Sequence, residues 1–198
     1  AASDVYKRQN LAPWLLIFTT MFGNGGIFCW YSYVTPLMTH VAGFSENSMT
    51  FIMVLAGLSM TVGNLMGGKL SDQYGAARVV KYTQIIMASG LLAIFFAASI
   101  SWLAVILMCV CTAGLFAVSA PQQLLLLQNS RGGEMMGAAC VQVAFNLGNA
   151  IGAYAGGLPI DAGLGYRYPA LVGVFIVLTG FVAVSLYSKR ESASLSKI

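Results

Sequence analysis

Along this chain the polar and charged residues come in brief clusters, separated by six long stretches with hardly a charge. These stretches lie near 11–38, 47–69, 77–99, 101–128, 134–158 and 168–188. Each holds the ~20 apolar residues needed to cross a bilayer as a helix. The period-two alternation of a spanning β-strand is absent, which excludes a barrel and predicts six transmembrane helices. Composition agrees: 58% of residues are hydrophobic and 8% charged, against ~25% charged in soluble domains. With a mean hydropathy of +0.79, a chain of 198 residues cannot cover its apolar side chains in water. The expected class is an all-α, multi-pass membrane protein.

The net charge of +4 is distributed by topology and does not point to nucleic acid. Lys69, Arg78, Lys81, Arg131, Lys189, Arg190 and Lys197 fall in the second and fourth loops and the tail, whereas the first and third loops have no Lys or Arg. The positive-inside rule then places both ends of the chain in the cytoplasm. Trp14, Tyr82 and Tyr187 near one face, and Trp102, Tyr166 and Tyr168 near the other, suit interfacial belts. The four cysteines, Cys29, Cys109, Cys111 and Cys140, all lie inside predicted helices. They lack the spacing of a metal site or a disulfide framework, so no metal or other cofactor is expected.

Residues 1–9 lack an apolar pattern and an initiating Met, and Asp4–Gln9 reads as a translated sequencing-adapter remnant. The expected organisation is therefore an artefact over 1–9, a six-helix unit over 10–190 and a cytoplasmic tail over 191–198.

The six-helix unit contains an internal repeat. Pro36 and Pro121 are 85 residues apart, as are the Gly-Asn pairs at 63–64 and 148–149. "GGKLSD" at 67–72 and "GGLPID" at 156–161 share Gly-Gly-x-x-x-Asp. Three spans per unit is an odd number, so the second unit would cross the membrane in the opposite direction. Inverted three-helix repeats nested in a six-helix half are the architecture of the major facilitator superfamily.

The charged stretch "GNLMGGKLSDQYGAARVV" (63–80) resembles that superfamily's cytoplasmic loop motif. Gly68 and Asp72 hold their places, Gly75 permits the turn, and Arg78 remains as a cation, while Gln73, Ala76 and Ala77 depart from the pattern. The resemblance implies that Asp72 docks on a neighbouring helix end and helps hold one access state, a partnership favoured by the positive end of a helix dipole. "GNAIGAYAGG" is similar to an antiporter motif, with Ala153 where proline is usual. Its Gly148, Gly152, Gly156 and Gly157 suit close helix packing, with a gating role as the sharper reading. Longer stretches, including "AGLFAVSAPQQLLLLQNSRGGEMMGAA", resemble the C-terminal half of arabinose efflux permeases of the AraJ type, among the drug and sugar proton antiporters. The resemblance implies a bacterial inner-membrane protein lacking its N-terminal half. It also implies proton-coupled efflux of a small neutral solute, such as arabinose, another sugar or a drug, by alternating access.

No Asp, Glu, Lys or Arg is predicted near the bilayer midplane, and His40 lies at the outer end of the first span. A proton-coupling acid is therefore expected in the absent half. Uncharged polar residues mark the candidate cavity. Thr20, Asn24, Tyr31 and Thr35 share a face of the first span, with Phe28 beside them, and Gln122 and Gln123 lie on the fourth. Gln142, Asn146 and Asn149 form a stripe on the fifth. Amides and hydroxyls suit a polyol, and Phe28 and Tyr31 could stack on one. Asn24-Gly25-Gly26 and the two prolines could unwind helices locally. Expected partners are lipid, the absent half, a small solute and protons. Two other readings are a self-contained six-helix channel or homodimeric half-transporter, and an intramembrane enzyme. The enzyme would need an activated serine beside a histidine base, and no Gly-x-Ser-x-Gly turn is present.

Overall fold

The computed structural model describes residues 11–130 and 134–195, and every regular element among them is helical. The long helices are α1 (Ala12–Tyr31), α2 (Glu46–Tyr74), α3 (Ala76–Ala97), α4 (Ser101–Asn129), α5 (Glu134–Asp161) and α6 (Tyr168–Leu195). Helices α1 to α4 and α6 are long and apolar enough to cross a membrane. Helix α5 has the length, at 28 residues, but Gln142, Asn146 and Asn149 dilute its apolar content. Among the described residues five helices, rather than the expected six, thus meet both conditions. The residues read as an adapter remnant lie outside the described ones, as do Arg131 and Lys197.

Proline sets where two helices break. Its ring clashes with the carbonyl four residues earlier, which is Ser32 for Pro36 and Ala117 for Pro121. Helix α1 accordingly stops at Tyr31, and Tyr33 leaves helical geometry with φ −117° and ψ 20°. The chain resumes as Val34–Pro36 and runs into a π-helical turn, Leu37–Val41. Helix α4 consists of two segments, Ser101–Ala117 and Ser119–Asn129, meeting at Val118. The expected single run over 11–38 is therefore divided. The expected unwinding at Asn24-Gly25-Gly26 does not occur, because α1 is continuous through them.

Those glycines serve packing instead. Helix α1 lies between α5 and α6, α2 packs on α4, and α3 packs on both α4 and α6. A Cβ on Gly25 would stand 2.6 Å from the Gly148 carbonyl oxygen, and one on Gly26 2.6 Å from that of Gly173. A Cβ on Gly63 or Gly67 of α2 would stand 2.7 Å from the carbonyl carbons of Ala113 or Ala117 on α4. In lipid the tails are as apolar as leucine, so helices associate through such close backbone contact. Ile27, Trp30, Met87, Leu91, Met108 and Leu115 fill the core. Phe51, Leu65, Phe96 and Phe175 point outward, as a bundle solvated by acyl chains allows.

At one end of the bundle three loops are joined. The Ser101 hydroxyl donates to the Ala42 carbonyl at 2.6 Å, Arg167 donates to the Ser99 hydroxyl, and His40 stacks on Tyr166 at 5.3 Å. At the other end the Asn129 amide donates to the Tyr187 hydroxyl at 3.0 Å, joining α4 to α6.

Candidate substrate cavity and gating turn

The break at Val118 and the glycine packing of α1 bring two amides together. Asn24 Nδ2 donates to Gln122 Oε1 at 3.2 Å, across 98 residues of sequence. Both side chains are almost wholly buried, at 0% and 2% exposure. Asn24 Oδ1 and Gln122 Nε2 find no protein partner. One buried acceptor and one buried donor are thus left without a protein partner, and exchanging O and N on both amides gives the same balance. A hydroxyl group, which donates once and accepts, complements that pair.

The other predicted cavity residues are arranged less simply than one shared face. Thr20 is buried, and its hydroxyl donates to its own helix at Leu16 O, 3.0 Å away. Tyr31 is half-buried and Thr35 is exposed beyond the break. The expected face of α1 is therefore divided into a packed inner part and an open outer part. Phe28 lies between them, edge-on to Tyr31 at 5.8 Å and to Phe145 of α5 at 6.1 Å. On α4, Gln123 is exposed while its neighbour Gln122 is buried, as consecutive helix residues diverge. On α5, Gln142 and Asn146 are exposed on one flank. Asn149 on that flank is half-buried, with its Oδ1 lacking a partner.

The glycine ridge of α5 faces inward. Each Cβ placed on Gly148, Gly152 or Gly156 would run into the backbone of α1 at Met21, Gly25 or Cys29 respectively. Gly157 leaves room for the Tyr33 ring, whose hydroxyl would stand 2.7 Å from an added Cβ and donates to Ala153 O at 2.9 Å. These four glycines pack α5 on α1 and its outer extension. They do not present a smooth outer face for gating against another unit.

The loop motif forms a one-residue turn. Gly75 alone separates α2 from α3, with φ +88° and ψ 138°, a conformation strained for any side chain. Its N–H donates to Ser71 O at 2.9 Å, closing α2. Asp72 and Arg78 are exposed on either side of the turn, and Gly68 has open space around it.

Gln84 and Tyr33 make contacts between helices and stand outside the predicted set. Gln84 of α3 is fully buried and its Nε2 donates to Thr19 O of α1 at 3.3 Å, in space left by Gly23. Its Oε1 lacks a partner. The sequence signal was a lone glutamine within an apolar span, facing the Gly-rich segment of α1. Tyr33 was hidden because only the break ahead of Pro36 turns it toward α5. Among the described residues no three His, Cys, Asp or Glu gather as metal ligands.

Spanning helices packed through glycine, with amides within and beside the bundle, define a multi-pass helical membrane protein. Residues 13–197 match the Major Facilitator Superfamily, and the chain belongs to that family. It is 47% identical over 188 residues to AraJ of Escherichia coli (strain K12), which bears a transporter's name, covering 94% of this chain and 48% of AraJ. It is 32% identical over 187 residues to the inner membrane transport protein YdhP of the same strain, covering 94% of this chain and 47% of YdhP. A Bacillus subtilis (strain 168) transporter of the same superfamily type, YtbD, is 29% identical over 200 residues, covering 96% of this chain and 50% of YtbD. The chain thus spans about half the length of these curated relatives.

Proposed function

We propose that this chain is the C-terminal half of a twelve-helix secondary transporter that exports a small neutral solute, a sugar such as arabinose or a drug, in exchange for protons. The two halves rock about a central site in the inner membrane, with both ends of this half in the cytoplasm. Two inverted three-helix repeats account for the paired features. Pro36 and Pro121 interrupt α1 and α4 at equivalent places, and glycines 85 residues apart, Gly63 and Gly148, seat α2 on α4 and α5 on α1. In that frame α5 also crosses the membrane, completing six spans, and its amides line the cavity instead of meeting lipid.

The observation that carries the reading is the buried Asn24–Gln122 pair, with one donor and one acceptor unused. Phe28 and Tyr31 supply ring faces above it, and Gln123, Gln142 and Asn146 supply further polar contacts. The midplane carries no formal charge on this half, which suits a neutral solute and leaves proton coupling to the other half. Asp72, at the Gly75 turn, acts as the docking group that holds one access state.

The test is efflux of labelled arabinose from proteoliposomes containing the complete transporter, driven by a pH gradient. Asn24→Ala and Gln123→Ala are expected to change the apparent affinity, and Asp72→Asn to slow turnover with insertion intact. Wild-type flux equal to that of empty vesicles for sugars and drugs alike would refute the solute class. Unchanged kinetics in all three variants would refute the site.

A further inference from the structure

On the outer side of the bundle, away from the amide pair, a cleft of about 230 Å³ runs between α2 and α3. Leu70 and Tyr74 of α2 and Val79, Tyr82, Thr83 and Ile86 of α3 line it, together with the exposed Arg78. We propose that this cleft binds one anionic phospholipid, with its phosphate on Arg78 and the start of an acyl chain along Tyr82 and Ile86.

The depth of the residues matches that of a lipid. Arg78 is the third residue of α3, at the level of the turn. Ile86 lies eight residues further along the helix, roughly 12 Å deeper at ~1.5 Å per residue. A headgroup at Arg78 therefore places its chain in the hydrocarbon, where the cleft is apolar. Tyr74 and Tyr82, 56% and 59% exposed, flank the mouth as interfacial aromatic residues do. The volume is too small for a helix, whose diameter is ~10 Å, and large enough for a segment of acyl chain.

Charge selects the headgroup. The Arg78 guanidinium has no hydrogen bond or ion pair among the described residues. Lys69 is exposed on the last turns of α2. Lys81 is directed elsewhere, over the Phe181 ring at 5.9 Å. Asp72 is the one acidic side chain between Lys69 and Arg78 in the sequence, so the turn segment beside the cleft carries two cations against one anion. Guanidinium presents parallel N–H donors that fit a phosphate, and a net anionic headgroup gains from the surplus charge whereas a zwitterion gains less.

The experiment is native mass spectrometry of the full chain in neutral detergent, titrated with dioleoyl phosphatidylglycerol or dioleoyl phosphatidylethanolamine. One phosphatidylglycerol is expected to be retained about fivefold more tightly than phosphatidylethanolamine, with Arg78→Gln abolishing the difference. A Lys189→Gln/Arg190→Gln variant should keep it, since those cations lie on the tail of α6. If Arg78→Gln fails to fold, Ile86→Trp fills the cleft with the cation intact and should weaken retention to a similar extent. Equal retention of both lipids by the wild type, a preference that survives Arg78→Gln, or one lost only in the tail variant would each overturn the site. So would unchanged retention in Ile86→Trp.

Discussion

Replacing Gly152 by Ala tests the packing of α1 against α5 at its closest point. The added Cβ would meet the Gly25 carbonyl group, standing 2.9 Å from its carbon and 3.2 Å from the Cys29 nitrogen. Ordinary contact begins at 3.4 Å, so the helices must separate by at least half an ångström at about that contact. Both obstacles are backbone, and no rotamer change can relieve them. Overpacking of this kind costs about 1–3 kcal/mol, and separating the helices also weakens their Cα–H···O contacts. At ~2–4 °C per kcal/mol for a chain of this size, the midpoint should fall by roughly 2–12 °C.

Thermal unfolding in detergent, followed by far-UV circular dichroism, measures that loss against an internal control. Gly57 of α2 is helical with nothing within 4 Å of an added Cβ. Gly57→Ala should therefore raise stability by about 0.5–1 kcal/mol through backbone entropy. Gly67→Ala, facing Ala117 of α4, should behave as Gly152→Ala does. Midpoints for Gly152→Ala and Gly57→Ala that agree within error would refute the close packing of the α5 glycine ridge on α1.

Gly75→Ala should cost about 1–3 kcal/mol, because a side chain at φ +88° is strained despite open space; a neutral result in the same thermal assay would show that the turn relaxes. A double-mutant cycle of Asn24→Ala and Gln122→Ala should give a coupling of about 0.6–1.7 kcal/mol, and additive losses would mean that the 3.2 Å bond contributes nothing. Gln84→Met should be neutral or stabilising to within ~1 kcal/mol, since it removes an unsatisfied buried carbonyl and leaves Thr19 O its helical partner. A loss above ~2 kcal/mol would show that the Gln84 amide holds more than one bond.

The helices were legible because lipid imposes a length and an apolar composition on each span, and loops interrupt both. Gly75 was legible as a turn because its place in "SDQYGAAR" separates two apolar runs. The repeat pointed to Pro36 and Pro121, but each break falls at Tyr33 or Val118, where the clash with the carbonyl four residues back acts. The amide faces were partly legible. Helical spacing aligns Thr20 with Asn24 and Tyr31, but cannot say that α4 covers the inner part of that face and leaves Thr35 open. Nor can spacing say which neighbour a glycine ridge meets. Gly148, Gly152 and Gly156 were visible as a stripe, and only the fold turns it toward Met21, Gly25 and Cys29.

The same constraint joins packing to polarity along α1. Between helices in lipid the hydrophobic effect supplies no association, so contact depends on small residues and hydrogen bonds. In α1 both occur within four residues: Gly23 admits Gln84, Gly25 meets α5, Gly26 meets α6, and Asn24 between them reaches Gln122. An alanine at Gly25 or Gly26 thus forces an adjacent helix outward and disturbs the neighbouring amide contact as well, while one at Gly23 displaces the Gln84 side chain. Proline then ends the tightly packed segment at Tyr31. Beyond it, Tyr33 holds the outer extension to α5 through the bond to Ala153, and His40 adds its stack on Tyr166. Helix α1 is therefore fixed by backbone contact where its amide is buried and by side-chain contacts beyond the break. In the proposed transporter the second region is the one that can release and re-form as access alternates, because its contacts can be exchanged without separating packed backbones.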